Sequence, residues 1–135
     1  GVADRVRFEV REASSPGLPE QAYDLVIAFE CIHDLARPVE ALATMRRLVR
    51  ADGFVVVADN AVEETFSAPG SEIDRLLYGS SVLVCLPTGR AHDHSAGTGA
   101  VMRPSTFRRY AAEAGFASVE VADVPHPFWR FYRLA

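Results

Sequence analysis

Two short runs of consecutive apolar residues, Leu25-Val26-Ile27-Ala28-Phe29 and Phe54-Val55-Val56-Val57-Ala58, constrain this chain more than any other feature. Uninterrupted runs of this length, rich in β-branched side chains, suit central strands covered on both faces, the habit of parallel sheets. A helix is expected between them. Pro38 fits its first turn, where the missing N–H costs nothing. Val39, Leu42, Met45 and Val49 repeat at helical spacing, Arg46, Arg47 and Arg50 favour the negative end of the helix dipole, and Gly53 is the expected stop. Strand, helix and strand over about thirty-five residues make a βαβ crossover, which is right-handed by strong precedent.

The flanking segments extend this pattern. Residues 5–11 alternate strictly, with Arg5, Arg7, Glu9 and Arg11 on one side and Val6, Phe8 and Val10 on the other. That predicts a strand with one buried face, as at a sheet edge. Residues 14–20 are turn chemistry. A helix is expected from Ser71, with Asp74 completing a capping-box variant, Ile73, Leu76, Leu77 and Val84 on one face, and Pro87 as its limit. Residues 88–103, with Gly89, Gly97 and Gly99, read as loop. Another helix should start near Pro104, run through Phe107, Tyr110 and Ala111, and end at Gly115. Val119 and Val121 lie in one alternating strand and Phe128–Leu134 in a second, and the Pro125-His126-Pro127 turn makes them a hairpin.

Composition closes off several classes of function. The chain has 135 residues, 49% of them hydrophobic and 24% charged, with a net charge of −4. These values fit one soluble globular domain and exclude a disordered, collagen-like or multidomain chain. No run approaches the ~20 apolar residues that span a bilayer, so no membrane contact is expected. The acidic balance argues against nucleic acid as a partner. Two cysteines, Cys31 and Cys85, are too few for a disulfide scaffold and fit a reducing cytoplasm. Every basic residue is arginine, and Asn60 and Gln21 are the only amides, a bias of GC-rich codons. The chain opens at Gly1 without methionine and runs almost directly into the 5–11 strand, as expected of one that begins within a larger domain.

In open α/β sheets, ligands bind beyond the carboxyl ends of the strands. That rule selects Glu12, then Glu30-Cys31-Ile32-His33-Asp34, then Asp59-Asn60, one polar group after each apolar strand. Asp34 as a helix cap and Asp59 as a turn residue are equally open readings. Cys31 and His33 stand two apart, His92 and His94 flank Asp93, and Cys85 lies nearby, but this spacing is not that of a structural zinc site, and no metal is expected. The pairs Arg46-Arg47 and Arg108-Arg109 read as solvated helix faces.

The same residues carry a resemblance. Tyr23-Asp24-Leu25-Val26, then Glu30 to Asp34, Pro38, Met45-Arg46-Arg47-Leu48-Val49 and Asp52-Gly53-Phe54 through Asp59 resemble the later half of class I S-adenosylmethionine-dependent methyltransferases. Ala114-Gly115-Phe116 before a strand fits the same family. His33-Asp34 and Met102-Arg103-Pro104 are similar to bacterial small-molecule methyltransferases, some of which carry an N-terminal winged helix. The resemblance implies an α/β fold: the C-terminal portion of a Rossmann-like methyltransferase sheet, mixed, with central parallel strands and a C-terminal antiparallel hairpin. Residues 1–135 would then be a single partial methyltransferase domain, from the family's third strand onward. The family's opening strand, glycine-rich loop, first helix and acidic ribose-binding strand have no counterpart here, and Gly97-Thr98-Gly99 follows no strand.

Further expectations follow from the resemblance. The cofactor of the complete enzyme is S-adenosylmethionine, met by Glu12 and Ala13 at the adenine edge and by Glu30, Cys31 and Ile32 as walls. His33 is the candidate base, with lining of the cofactor site as the other reading. Tyr78, Val82, Cys85, Met102 and Trp129 are candidates for the acceptor pocket, or else ordinary core. The acceptor is a small molecule, and the isolated chain is expected to be inactive. The family's strand order leaves the strand at 25–29 with an open apolar edge, so a homodimer through that edge is expected. A non-catalytic dimerisation or ligand-sensing module on the same half-fold is the alternative.

Overall fold

The two apolar runs pair with one another. In the computed structural model, which describes residues 1–15 and 17–135, β1 (Tyr23–Phe29) and β2 (Val49–Asn60) are parallel, with Leu25 opposite Phe54 and Phe29 opposite Ala58. Helix α1 (Pro38–Leu48) connects them, with Pro38 in its first turn as expected. It ends at Leu48, because Val49 is already extended, and Gly53 lies inside β2 rather than at the helix end. A Cβ on Gly53 would sit 2.5 Å from the Asp24 carbonyl oxygen. The glycine therefore lets the two strands approach and does not cap the helix.

The chain's end completes the sheet. β3 (Val119–Val121) and β4 (Trp129–Leu134) form the expected hairpin, and β4 also lies antiparallel to β2, giving the order β1-β2-β4-β3. This is the mixed sheet anticipated from the sequence, and β1 lies at its edge, in line with the open edge expected for residues 25–29. Alternation on β1 then decides burial: Ala28 is buried, whereas Leu25, Ile27 and Phe29 are 43%, 60% and 46% exposed. The expectation that this run is covered on both faces is corrected to one face.

The covered face holds the core. Leu42 of α1, Val55 and Val57 of β2, Tyr132 and Leu134 of β4, and Phe107 of α4 (Pro104–Glu113) are each fully buried. The Phe107 and Tyr132 rings pack with centroids 4.2 Å apart. Gly115, at φ +92°, follows the end of α4 in a conformation that suits glycine.

Two further expectations fail. Residues 5–11 form no strand, and Phe8 and Val10 are 93% and 105% exposed. Alternation makes a strand only where a neighbour accepts its hydrogen bonds, and none of the described residues does so. Pro16, within the expected 14–20 turn, lies outside the described residues. The helix from Ser71 does form, as α2 (Glu72–Ser80), with both hydrogen bonds of its capping box present. It does not stop at Pro87. Leu86 N–H reaches back five residues to the Ser81 carbonyl, making a π-turn over Ser81–Cys85 that leads into α3 (Leu86–Arg90). Pro87 sits in the first turn of α3, where a proline is tolerated. Part of the expected 88–103 loop is therefore helical. Leu77 is buried, but Leu76 and Val84 are 56% and 59% exposed, so the expected apolar face is not shared.

Candidate active site

At the end of β1 the chain must turn sharply, and Glu30 does so in the left-handed region, at φ +51°. A single 3₁₀ turn over Ile32–Asp34 follows and swings His33 back towards the sheet. The His33 carbonyl accepts the Gly99 N–H at 3.1 Å, tying this turn to the segment before α4. β2 ends beside it with Asp59, and Asn60 secures that end by donating from Nδ2 to the Ala100 carbonyl.

These constraints bring His33 and Asp59 together. His33 Nδ1 is 2.6 Å from Asp59 Oδ1, with the two residues only 4% and 1% exposed. Asp59 Oδ1 also accepts the Asn60 N–H at 2.8 Å. A carboxylate on Nδ1 makes that nitrogen the donor, which leaves Nε2, 3.3 Å from Asp34 Oδ1, as the ring nitrogen without a proton in the neutral form. Burial works against a charged imidazole, but the hydrogen bond to Asp59 and the nearby carboxylates outweigh it, so the pKa of His33 is raised. Glu30 is raised by burial, then by the charge of Asp59. Burial likewise raises the Cys31 thiol. Cys85 is pushed up to about 11 by burial and a hydrogen bond with Asp34. Three buried carboxylate oxygens, Glu30 Oε1, Asp34 Oδ1 and Asp59 Oδ2, have no hydrogen-bond partner.

The expected residues distribute as follows. Glu30, Cys31 and Ile32 lie directly before His33; Ile32 is buried in the core cluster and Cys31 packs partly against it. Glu12 and Ala13 are exposed and share a cavity of about 410 Å³ with Asp34, Arg37, His92 and His94. Tyr78 is half-buried and accepts a hydrogen bond from Arg103 at 2.7 Å. Val82 is 64% exposed, while Met102 is buried in the core. Cys85 is half-buried beside Asp34. Trp129 stacks on His126 at 4.3 Å and meets the edge of Phe29. Of this acceptor set, the structure brings only Cys85 to the His33 cluster.

Asp34 caps no helix, because the residue before α1 is Arg37 and no side chain caps it. Asp59 lies within β2 rather than in a turn. The pairing of His33 with Asp59 was not expected from the sequence, although both stand at the carboxyl ends of adjacent strands. That shared rim was the available signal.

Comparison with known proteins bears on the domain and its fold. A family model described as a methyltransferase domain matches residues 1–57. A highly reducing polyketide synthase from Phaeosphaeria nodorum is 27% identical over 131 residues, covering 94% of this chain and 4% of that protein. The trans-methyltransferase CalH, solved with S-adenosylhomocysteine, is 26% identical with a TM-score of 0.61 over 99% of this chain and 37% of its own. TnmH aligns with a TM-score of 0.72 at 21% identity, over 98% of this chain and 35% of its own. The methyltransferase domain of citrinin polyketide synthase gives 0.65 at 16% identity, over 95% and 32%. The chain thus spans about a third of the length of these structures and a small part of the polyketide synthase. The domain model matched over residues 1–57 and the sheet shared with these enzymes make the chain similar, in sequence and in fold, to class I S-adenosylmethionine-dependent methyltransferases.

Proposed function

We propose that this chain is the later part of a domain that transfers a methyl group from S-adenosylmethionine to a small-molecule acceptor, with His33 taking the acceptor's proton. The observation that carries this reading is the buried His33–Asp59 pair at the carboxyl ends of two adjacent parallel strands. Asp59 holds the ring in one tautomer and stabilises the imidazolium that forms when Nε2 accepts a proton, while Asn60 and Gly99 fix the two strand ends. The proton leaves the acceptor for Nε2 as the acceptor atom gains the methyl group.

The bound cofactor would supply a methyl group already activated on a sulfonium centre, so the protein's contribution is orientation and proton removal. Glu30, Cys31 and Ile32, with Glu12 and Ala13, are the residues proposed to hold it. The orphaned oxygens of Glu30 and Asp59 suit a ligand that brings ammonium and hydroxyl donors. Tyr78, Val82, Cys85, Met102 and Trp129 remain the proposed acceptor side. The polyketide synthase relative favours an acceptor whose O–H or C–H is acidified by a carbonyl group.

Two structural facts support reading the chain as one part of a larger domain that is inactive alone. β1 has a free edge, and the sheet face carrying Leu25, Ile27 and Phe29 is uncovered among the described residues. The same edge is proposed to pair with a second copy when the chain is isolated. A cytoplasmic setting is proposed from the two free cysteines. Among the described residues no helix is long and apolar enough to cross a membrane.

Label transfer from S-adenosylmethionine by the longer protein carrying this segment tests the reading. His33→Ala should lower turnover by about 10²–10⁴-fold with cofactor affinity retained. Unchanged turnover removes the base role, and transfer by the isolated chain removes the claim that it is inactive alone.

A further inference from the structure

The carboxylates around His33 do more than pair with it. Asp34 Oδ1 lies 3.3 Å from His33 Nε2. It is buried there and makes no hydrogen bond. The Cys85 thiol completes the group, with one ligand atom from each of His33, Asp34 and Cys85 lying within 4.8 Å of the others. Two ligands about 2.0–2.1 Å from a zinc ion at the tetrahedral angle stand about 3.3–3.4 Å apart. The Nε2 to Oδ1 separation is therefore the edge of such a tetrahedron.

A second feature points the same way. Metal-bound histidines commonly donate their other ring nitrogen to a carboxylate, which fixes the tautomer and strengthens the donor. Asp59 Oδ1 accepts from His33 Nδ1 at 2.6 Å, and its own Oδ2 is orphaned in a residue 1% exposed. Imidazole, thiol and carboxylate together select a borderline-soft cation over calcium or magnesium. Asp34 and Cys85 are only partly buried, which leaves an entry path and an open fourth position.

We propose that His33 Nε2, Asp34 Oδ1 and Cys85 Sγ form a binding site for one zinc-class divalent cation, with Asp59 orienting the histidine. The ion displaces the thiol proton on binding and takes the lone pair that proton removal would use, so the loaded form is a blocked form of the site. The site itself does not depend on the methyltransferase reading, because binding is measured without turnover.

Titrating the purified chain with cobalt(II), as a spectroscopic stand-in for zinc, tests this directly. One ion per chain should bind with a thiolate-to-cobalt charge-transfer band, and zinc should displace it. Cys85→Ser should abolish the band, and Cys31→Ser should retain it. Asp59→Asn should weaken binding about 10–100-fold with the stoichiometry unchanged. Absence of the band in the folded wild-type chain overturns the site. Persistence of the band in Cys85→Ser, or its loss in a Cys31→Ser chain with native circular dichroism, overturns the ligand assignment.

Discussion

Single residues do two kinds of work here, and both can be measured. Leu42 is fully buried between α1 and the sheet, so Leu42→Ala leaves a cavity that the surrounding core cannot close. A loss of ~2–5 kcal/mol is expected, read as a lower urea midpoint with an unchanged slope. Gly53 is needed for space. An added methyl would meet the Asp24 carbonyl at 2.5 Å and a Val49 methyl at 2.8 Å. Gly53→Ala should cost ~1–3 kcal/mol through overpacking, although stiffening the unfolded chain returns up to about 1 kcal/mol of that. An unchanged midpoint would show that β1 and β2 can separate without penalty. At this scale the site was half legible. His33 stood out because it follows an apolar strand at a ligand rim. Its pairing with Asp59 depends on the parallel register that sets Phe29 beside Ala58, and the approach of Cys85 to Asp34 depends on how α2 and α3 fold back. Neither spacing is a local property of the chain.

Elements were legible wherever local chemistry and tertiary need agreed. Pro38 with its helical repeat, Pro104 with Gly115, and the alternation at 119–134 each yielded the observed element. Disagreement appeared where a partner decides the outcome. Residues 5–11 alternate as well as any strand in the chain, yet a strand is a relation between two segments and this one has no neighbour among the described residues. Gly53 read as the helix stop because the sequence does not show that the chain is already extended from Val49 and that residues 50–53 form an irregularity between the residues paired with Tyr23 and Leu25. Pro87 read as a terminator because a π-turn, which resets the hydrogen-bond phase just before it, has no simple sequence mark. The α2 cap is a local feature that needs no partner. Ser71→Ala removes the hydroxyl that accepts the Asp74 N–H at 3.0 Å, and should cost about 1 kcal/mol. Ser71→Asp should recover most of it in the same urea experiment. Equal loss in both variants would mean that the capping box contributes little to stability.

At the scale of the whole molecule, the sheet has one finished face and one unfinished edge. Helices α1 and α4 seal the face that holds Leu42, Phe107 and Tyr132, while β1 leaves its outer backbone groups and the side chains of Leu25, Ile27 and Phe29 open. An apolar edge of this kind recruits another strand unless charge or proline blunts it, and β1 has neither along Leu25–Phe29. The alternating segment at 5–11 is as long as β1 and presents Val6, Phe8 and Val10 unpaired, so a second copy offers both a matching edge and a strand-forming arm. Light scattering on the purified chain should therefore report twice the mass of one chain. Placing a charge at the centre of the edge is the discriminating change. Ile27 is 60% exposed, so Ile27→Arg removes little core and should leave the urea midpoint within about 0.5 kcal/mol of wild type while converting the dimer to a monomer. A wild-type chain that is already monomeric at high concentration excludes the paired edge, and a dimer that survives Ile27→Arg moves the interface elsewhere.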